Sequence, residues 1–277
     1  MARNSVLDLR KKKADNEKIV MVTAYDWTMA RLVDMAGVDM VLVGDSLGMV
    51  VQGLSDTLPV TLDDMIYHSR AVARGLQQAH LTTDLPFMTY QSSPEQALDN
   101  AGRLMKEGMA QSVKLEGGVR VAEAIDRIVG AGIPVVGHIG LTPQSVHAMG
   151  GFKVQGRSED DAARVLADAL AVEQAGAFCV VLEGLPTPLA QRISDELDIP
   201  TIGIGAGPHC DGQVLVCNDL LGLNLDFKPR FVKHYATLQE SVLEAVGQYA
   251  SEVRDGSFPD AAHSFSGKRA RNLAKLY

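Results

Sequence analysis

Apolar positions along this chain follow two alternating patterns: short unbroken runs rich in β-branched residues, and longer stretches in which apolar residues return every three or four positions. The short runs are Ile19 to Ala24, Met40 to Asp45, Leu81 to Leu85, Val113 to Glu116, Val135 to His138, Cys179 to Glu183, Thr201 to Ile204 and Gln213 to Val216. Runs that are apolar on both faces mark parallel strands covered by helices on one side and by a barrel interior on the other. Four of them are preceded by a glycine that closes a helical stretch: Gly37, Gly108, Gly132 and Gly176. The position just past a last helical turn favours the left-handed conformation, which glycine reaches without a steric penalty.

The stretches between the runs carry legible helix starts. Ser93-Pro94-Glu95-Gln96 sets a capping hydroxyl, a first-turn proline and a box-closing glutamine in order, and Thr61 with Asp64 and Ser158 with Asp161 read alike. Between Glu159 and Ala175, residues Ala162, Val165, Leu166, Ala169 and Val172 fall on one face, the stripe that packs on a sheet. The link from Ile204 to Gln213 is too short for a full helix. Beyond about Phe227 the pattern is purely helical, from Leu238 to Arg254, and the basic tail from about residue 267 is expected to be loosely held. Eight strands alternating with helices predict an α/β fold, a single-domain (β/α)8 TIM barrel over residues 1–277. An open doubly wound sheet would carry a Gly-x-Gly-x-x-Gly loop after its first strand, and none follows Ala24. The glycine-rich stretch Gly203 to Gly207 instead ends the seventh strand, a common place for an anion cradle in barrels.

Composition narrows the class of function. At 46% hydrophobic residues the chain can bury one large core. No stretch approaches the ~20 consecutive apolar residues of a membrane span, and the Arg10-Lys11-Lys12-Lys13 run lacks the apolar core of a secretory signal, so a cytoplasmic location is expected. Three cysteines, Cys179, Cys210 and Cys217, form no C-x-x-C pair and argue against a disulfide framework. A formal charge of −8 with mixed signs offers no basic stripe, so neither nucleic acid nor a membrane is an expected partner. Small-molecule chemistry is.

In a barrel the carboxyl ends of the strands share one face, so reactive groups there converge however distant in sequence. Asp26 follows the first strand, Asp45-Ser46 the second, Asp84 the third, Lys114 and Glu116 the fourth, His138 the fifth and Glu183 the sixth. Carboxylates crowded in one mouth repel each other unless a cation is present, and oxygen ligands point to a hard ion such as magnesium. Asp45, Asp84 and Glu116 are the candidate ligands. Taken singly, each could as well cap the helix that follows. Lys114 and Glu116, two apart on one strand, share a face; an ammonium there suits a substrate carboxylate, or else an ion pair with a neighbouring strand's acid. His138 reads either as a satisfied core histidine or as a site residue. Glu183, on a strand apart from the metal set, is the candidate acid/base, with a structural pairing to Lys114 or to a backbone amide as its alternative. Trp27, the methionines and Cys179 are expected in the core, and His68 on the outer surface of its helix.

Nearly the whole chain resembles the ketopantoate hydroxymethyltransferase family. The resemblance is carried by Thr23-Ala24-Tyr25-Asp26, Leu42-Val43-Gly44-Asp45-Ser46-Leu47-Gly48-Met49, Thr57-Leu58-Pro59-Val60-Thr61, Asp84-Leu85-Pro86-Phe87-Met88 and Val113-Lys114-Leu115-Glu116-Gly117-Gly118. It continues through Gly137-His138-Ile139-Gly140-Leu141-Thr142-Pro143-Gln144-Ser145, Gly150 to Arg157, Ile202 to Gly207 and Asp211 to Val216. It implies a (β/α)8 barrel, magnesium on Asp45, Asp84 and Glu116, and the oxo acid 3-methyl-2-oxobutanoate held at Asp45, Ser46, Asp84 and Lys114, with His138 beside it. It further implies Glu183 as acid/base, 5,10-methylenetetrahydrofolate as one-carbon donor, a magnesium-stabilised enolate, and a homo-oligomer, commonly a decamer. Peripheral departures are a slightly long Gln91-Ser92-Ser93 loop and the tail after Phe265. Two rival readings are a carbon–carbon lyase or phosphoenolpyruvate-mutase-like enzyme working without folate, and a non-catalytic barrel that binds an oxo acid.

Overall fold

The computed structural model describes residues 3–224 and 229–265. In chain order the elements are α1 (Val6–Ala14), β1 (Ile19–Thr23), α2 (Trp27–Met35), β2 (Met40–Val43), α3 (Leu47–Val50), α4 (Leu62–Gly75), β3 (His80–Asp84), α5 (Pro94–Lys106), β4 (Ser112–Glu116) and α6 (Ala122–Gly130). They continue with β5 (Val135–Gly140), α7 (Val146–Met149), α8 (Glu159–Gln174), β6 (Cys179–Glu183), α9 (Thr187–Glu196), β7 (Thr201–Ile204), β8 (Gly212–Leu215), α10 (Cys217–Leu220) and α11 (Leu238–Asp255). Each strand pairs in parallel with the next, and β8 returns to β1, closing the (β/α)8 barrel. The tail expected to be loose from residue 267 lies outside the described residues.

Alternation along the strands sorts two cores. Met21, Met40, Leu42, Val136, Val181, Ile202 and Val214 fill the lower barrel interior, where Leu9 of α1 is fully buried among them. Their neighbours Val41, Leu81, Val113, Leu115, Val180 and Leu182 point outward and pack beneath the helices with Val165, Ala169 and Val172 of α8. Gly137 of β5 lets α8 come close: a Cβ there would meet Val172 Cγ1 at 2.4 Å. The predicted stripe on α8 is therefore the packed face.

Helix ends follow the expected chemistry with informative exceptions. Thr61 and Asp64 form a reciprocal capping box. Ser93 accepts the Gln96 amide, but the Gln96 side chain turns to Ser92 and to the Met88 carbonyl, so that box does not close. Ser158 accepts the Asp161 amide while the Asp161 carboxylate serves Gly156 and Arg164. Gly37, Gly132 and Gly176 take positive φ, whereas after α5 it is Met109 that does so, at φ 61. Gly108 is needed for closeness instead, since its Cβ would sit 2.6 Å from the Leu104 carbonyl oxygen.

No helix joins β7 to β8, as the short link requires. Val20 and Gln213 are consequently exposed on the outside of the barrel, beside a cleft of about 510 Å³ lined also by Lys18, Gly205, Gly207 and Phe231. No helix among the described residues is long and apolar enough to cross a membrane. Cys179, Cys210 and Cys217 are buried and unbonded.

Two core expectations are corrected. Trp27 opens α2 at the barrel rim and is 53% exposed, because Ala30 and Asp34 supply the buried side of that helix. Met21, Met40 and Met65 are buried, but Met35, Met49, Met88 and Met109 are exposed. His68 is corrected too: it is half-buried, with Nδ1 2.6 Å from the Tyr25 carbonyl oxygen.

Candidate active site

The barrel's alternation carries Asp84, Lys114, Glu116, His138 and Glu183 inward at the carboxyl end, above the apolar floor, and Asp45 joins them just past β2. Register sets the neighbours: Asp84 pairs with Lys114 across β3 and β4, Glu116 with His138 across β4 and β5, and Gly140 with Glu183 across β5 and β6. Asp45, Asp84, Lys114, Glu116 and His138 are all buried. Glu183 is the member that reaches toward the opening, its side chain 16% exposed. Asp26 stands apart, since its Oδ1 accepts the Met29 amide and caps α2.

Lys114 Nζ lies 2.9 Å from Asp84 Oδ1, an ion pair whose direction is too poor for a hydrogen bond. Asp84 Oδ2 accepts the Asp45 amide at 3.0 Å. His138 stands between two acids, with Nε2 3.0 Å from Glu183 Oε2 and Nδ1 3.4 Å from Glu116 Oε1. Ser46 Oγ meets the Tyr25 hydroxyl at 2.8 Å and makes no cap to α3, so its hydroxyl is held at the mouth.

Gln144, buried after β5, ties the set together. Its Nε2 donates to Asp45 Oδ2 at 2.8 Å and to the Leu85 carbonyl at 3.0 Å, and its main-chain N–H donates to Glu116 Oε2 at 2.9 Å. The Tyr90 hydroxyl takes the Glu116 amide at 3.1 Å and gives its proton to Gln144 Oε1 at 2.7 Å.

Charge in this pocket is unbalanced. Burial first, then Asp84 and Glu116, push the Asp45 carboxyl well above the usual range, against the smaller pull of Lys114 and Gln144. Burial likewise raises Asp84, although Lys114 and the Asp45 amide oppose it. Burial would strip the Lys114 proton, but Asp84, Glu116 and Asp45 reverse that and keep the ammonium charged. For His138, burial and Lys114 act downward, and the Glu116 and Glu183 carboxylates outweigh them, raising it to about 9. The 3.2 Å approach of Lys114 Nζ to His138 Nδ1 would be a hydrogen bond only to a neutral ring. Two flanking carboxylates favour the charged ring, with Nδ1 turned to Glu116.

This donor set suits a hard cation. Among the described residues no three Asp, Glu, His or Cys side chains close around a point as the ligands of one ion. Magnesium needs no such cage, since it commonly takes one or two carboxylates and keeps waters or substrate oxygens. The carboxylates of Asp45, Asp84, Glu116 and Glu183 outnumber the Lys114 ammonium and the charged His138 ring, and the excess of carboxylate oxygens is what such a cation neutralises.

Of the strand-end residues singled out in the sequence, the structure brings together Asp45, Ser46, Asp84, Lys114, Glu116, His138 and Glu183 and leaves Asp26 as a helix cap. The alternative for Lys114, an ion pair with a neighbouring strand's acid, is also visible in its contact with Asp84, whereas Glu183 meets His138 and not Lys114. Tyr25, Tyr90 and Gln144 were missed as site residues. Pro143, just before Gln144 in a link after a strand, is the only local signal near it, and it speaks of a turn.

The family described as ketopantoate hydroxymethyltransferase matches residues 3–261. Among the most similar relatives is a 3-methyl-2-oxobutanoate hydroxymethyltransferase of Syntrophotalea carbinolica, 59% identical over 264 residues, covering 95% of this chain and 99% of that one. Another of the same name, from Geobacter sulfurreducens, is 56% identical over 262 residues, covering 95% and 98%. Solved structures share the fold at low identity. Phosphonopyruvate hydrolase with oxalate and magnesium aligns at TM-score 0.62 and 14% identity, covering 97% of this chain and 93% of that one. A 2,3-dimethylmalate lyase of the PEP mutase/isocitrate lyase superfamily aligns at 0.58 and 18%, covering 95% and 92%.

Proposed function

The chain belongs to the ketopantoate hydroxymethyltransferase family and is a one-carbon transferase, and from that premise we propose its full reaction and the roles of its residues. A hydroxymethyl group passes from 5,10-methylenetetrahydrofolate to 3-methyl-2-oxobutanoate, giving 2-dehydropantoate and tetrahydrofolate. The observation that carries the site assignment is the convergence of Asp45, Asp84, Lys114, Glu116, His138 and Glu183 at one end of one barrel.

Asp45, Asp84 and Glu116 would hold magnesium, by one or two direct carboxylate contacts and otherwise through its waters, in a pocket whose negative charge calls for it. When bound, the ion supplies positive charge that favours the enolate of the oxo acid over its keto form. Lys114, kept charged by its acidic neighbours, and Ser46, held by Tyr25, bind and orient the substrate carboxylate. Glu183 takes the proton from the carbon beside the ketone. His138, 3.0 Å from Glu183 Oε2, fixes that carboxylate in place. The carbon so exposed attacks the methylene carbon, one of whose two bonds to folate nitrogen has opened; the remaining carbon–nitrogen bond then breaks as water supplies the hydroxyl, and the two folate nitrogens take up the proton from the substrate carbon and the second proton of the water.

The protein works as a cytoplasmic homo-oligomer, a decamer by resemblance. Supporting this, α11 buries no residue and leaves Val242, Leu243, Val246, Tyr249 and Val253 exposed, and Val20 of β1 and Gln213 of β8 are exposed on the outside of the barrel. The test of the reaction is 2-dehydropantoate formation from both substrates, before and after chelation. Product that disappears on chelation and returns with magnesium supports the reading; no product with magnesium restored overturns the assigned reaction, and undiminished product in chelator overturns the metal.

A further inference from the structure

We propose that Gln144 is the positioning residue of the carboxylate cluster: its neutral amide, locked in one orientation by Tyr90, holds Asp45 in the pose that receives a divalent cation. The proposal rests on the reading that Asp45, Asp84 and Glu116 hold magnesium.

The amide of Gln144 is saturated. Both Nε2 protons are used, on Asp45 Oδ2 and the Leu85 carbonyl, and Oε1 accepts from the Tyr90 hydroxyl and from Gln91 Nε2 at 3.0 Å. A flip would set Oε1 against the Asp45 carboxylate and the Leu85 carbonyl, neither of which can donate, so both of those contacts would be lost. Tyr90 is held in turn, because its oxygen accepts the Glu116 amide and its single proton faces Gln144 Oε1 at 2.7 Å, nearer than its other acceptor, the Glu116 carbonyl oxygen at 3.1 Å. Burial and the nearby Glu116 charge keep the Tyr90 hydroxyl protonated and able to donate.

One residue therefore touches two of the three carboxylates, Asp45 through its side chain and Glu116 through its backbone. Pro143 opens the 3-10 turn Pro143–Ser145, which leaves the Gln144 N–H free of an intrahelical partner and turned to Glu116. Among the described residues Asp45 Oδ1 receives no hydrogen bond, so the amide restrains one oxygen of Asp45 and leaves the other for a cation. A lysine or arginine in this position would hold Asp45 as well but would repel the ion; an amide holds it without charge.

The experiment is Mn²⁺ binding to the purified full chain without substrates, read by water-proton relaxation, for the parent, Gln144→Met and Tyr90→Phe. Gln144→Met keeps the backbone contact to Glu116 and deletes the contact to Asp45; it is expected to weaken Mn²⁺ at least tenfold. Tyr90→Phe is expected to weaken it about threefold or more. Thermal midpoints without metal separate this from a purely structural role, which would lower the midpoint and leave Mn²⁺ affinity as in the parent. Parent-like affinity in both variants overturns the proposal. If Gln144→Met fails to fold, Tyr90→Phe decides alone: weakened binding supports the proposal and parent-like binding overturns it. A parent that binds no Mn²⁺ overturns the metal reading itself, and the role of Gln144 with it.

Discussion

Glu183 differs from the other acids of the site in both exposure and partner: it alone reaches the mouth, and it faces His138, not Lys114. In the proposed reaction Glu183 carries the proton, so Glu183→Gln is expected to lower turnover by well over tenfold, more than about 1.4 kcal/mol of barrier. The check is steady-state product formation with both substrates saturating; a loss within tenfold would remove Glu183 from the role. A second histidine sits at the opposite end of the barrel. His80 is buried, with Nδ1 3.0 Å from the Asn4 carbonyl oxygen and Nε2 2.9 Å from Ser112 Oγ, and burial drives its pKa down to about 4. The folded protein holds this ring neutral where the unfolded chain, at about 6.5, would protonate it. Its contribution is therefore complete above pH 6.5 and is lost as pH falls toward 4. At pH 5 the loss amounts to about 2 kcal/mol relative to neutral pH. Urea midpoints at pH 7 and pH 5 should show that drop in the parent and a smaller one in His80→Gln; equal drops would contradict the assignment.

Elements hold the site through close approaches more than through propensity. Helix α8 seats on β5 because Gly137 offers no side chain, and β5 is the strand that carries His138. Gly137→Ala would thrust a methyl to within 2.4 Å of Val172 Cγ1. Overpacking of this kind costs about 2 kcal/mol, and here it is expected to reduce activity as well, by shifting the strand that positions His138. Denaturant unfolding and the Michaelis constant for the oxo acid check the two effects separately. The missing helix between β7 and β8 is the converse case: a seven-residue link, 205–211, crosses from one end of the barrel to the other and leaves Val20 and Gln213 uncovered.

For the molecule as a whole, α11 is the element that an isolated chain does not account for. Its Val242, Val246, Tyr249 and Val253 recur at helical spacing on one exposed stripe, and the helix is tied on by the Leu238 and Gln239 amides to Leu221 and Gly222. If copies of this chain cover that stripe, the parent sediments as a homo-oligomer and Val242→Glu with Val246→Glu lowers its mass. A monomeric parent in analytical ultracentrifugation, or an unchanged mass in the double variant, would rule the stripe out as the contact.

By itself the sequence determined the eight strands, most helix starts, the closure into a barrel and the strand-end residues Asp45, Asp84, Lys114, Glu116, His138 and Glu183. These follow from local periodicity and from one rule of topology, that parallel strands of a barrel present their carboxyl ends together. Tertiary structure alone decided who touches whom. That Lys114 pairs with Asp84 and Glu183 with His138 depends on strand register, and that Gln144 and Tyr90 join the site depends on how two links fold over the mouth. Trp27 and His68 were misplaced for the same reason: period identifies a helix face, but the neighbour at that height sets burial. Hydrogen bonds between residues 54 positions apart, as between Tyr90 and Gln144, leave no periodic trace in the chain, because closure of the barrel, not local propensity, brings them within reach.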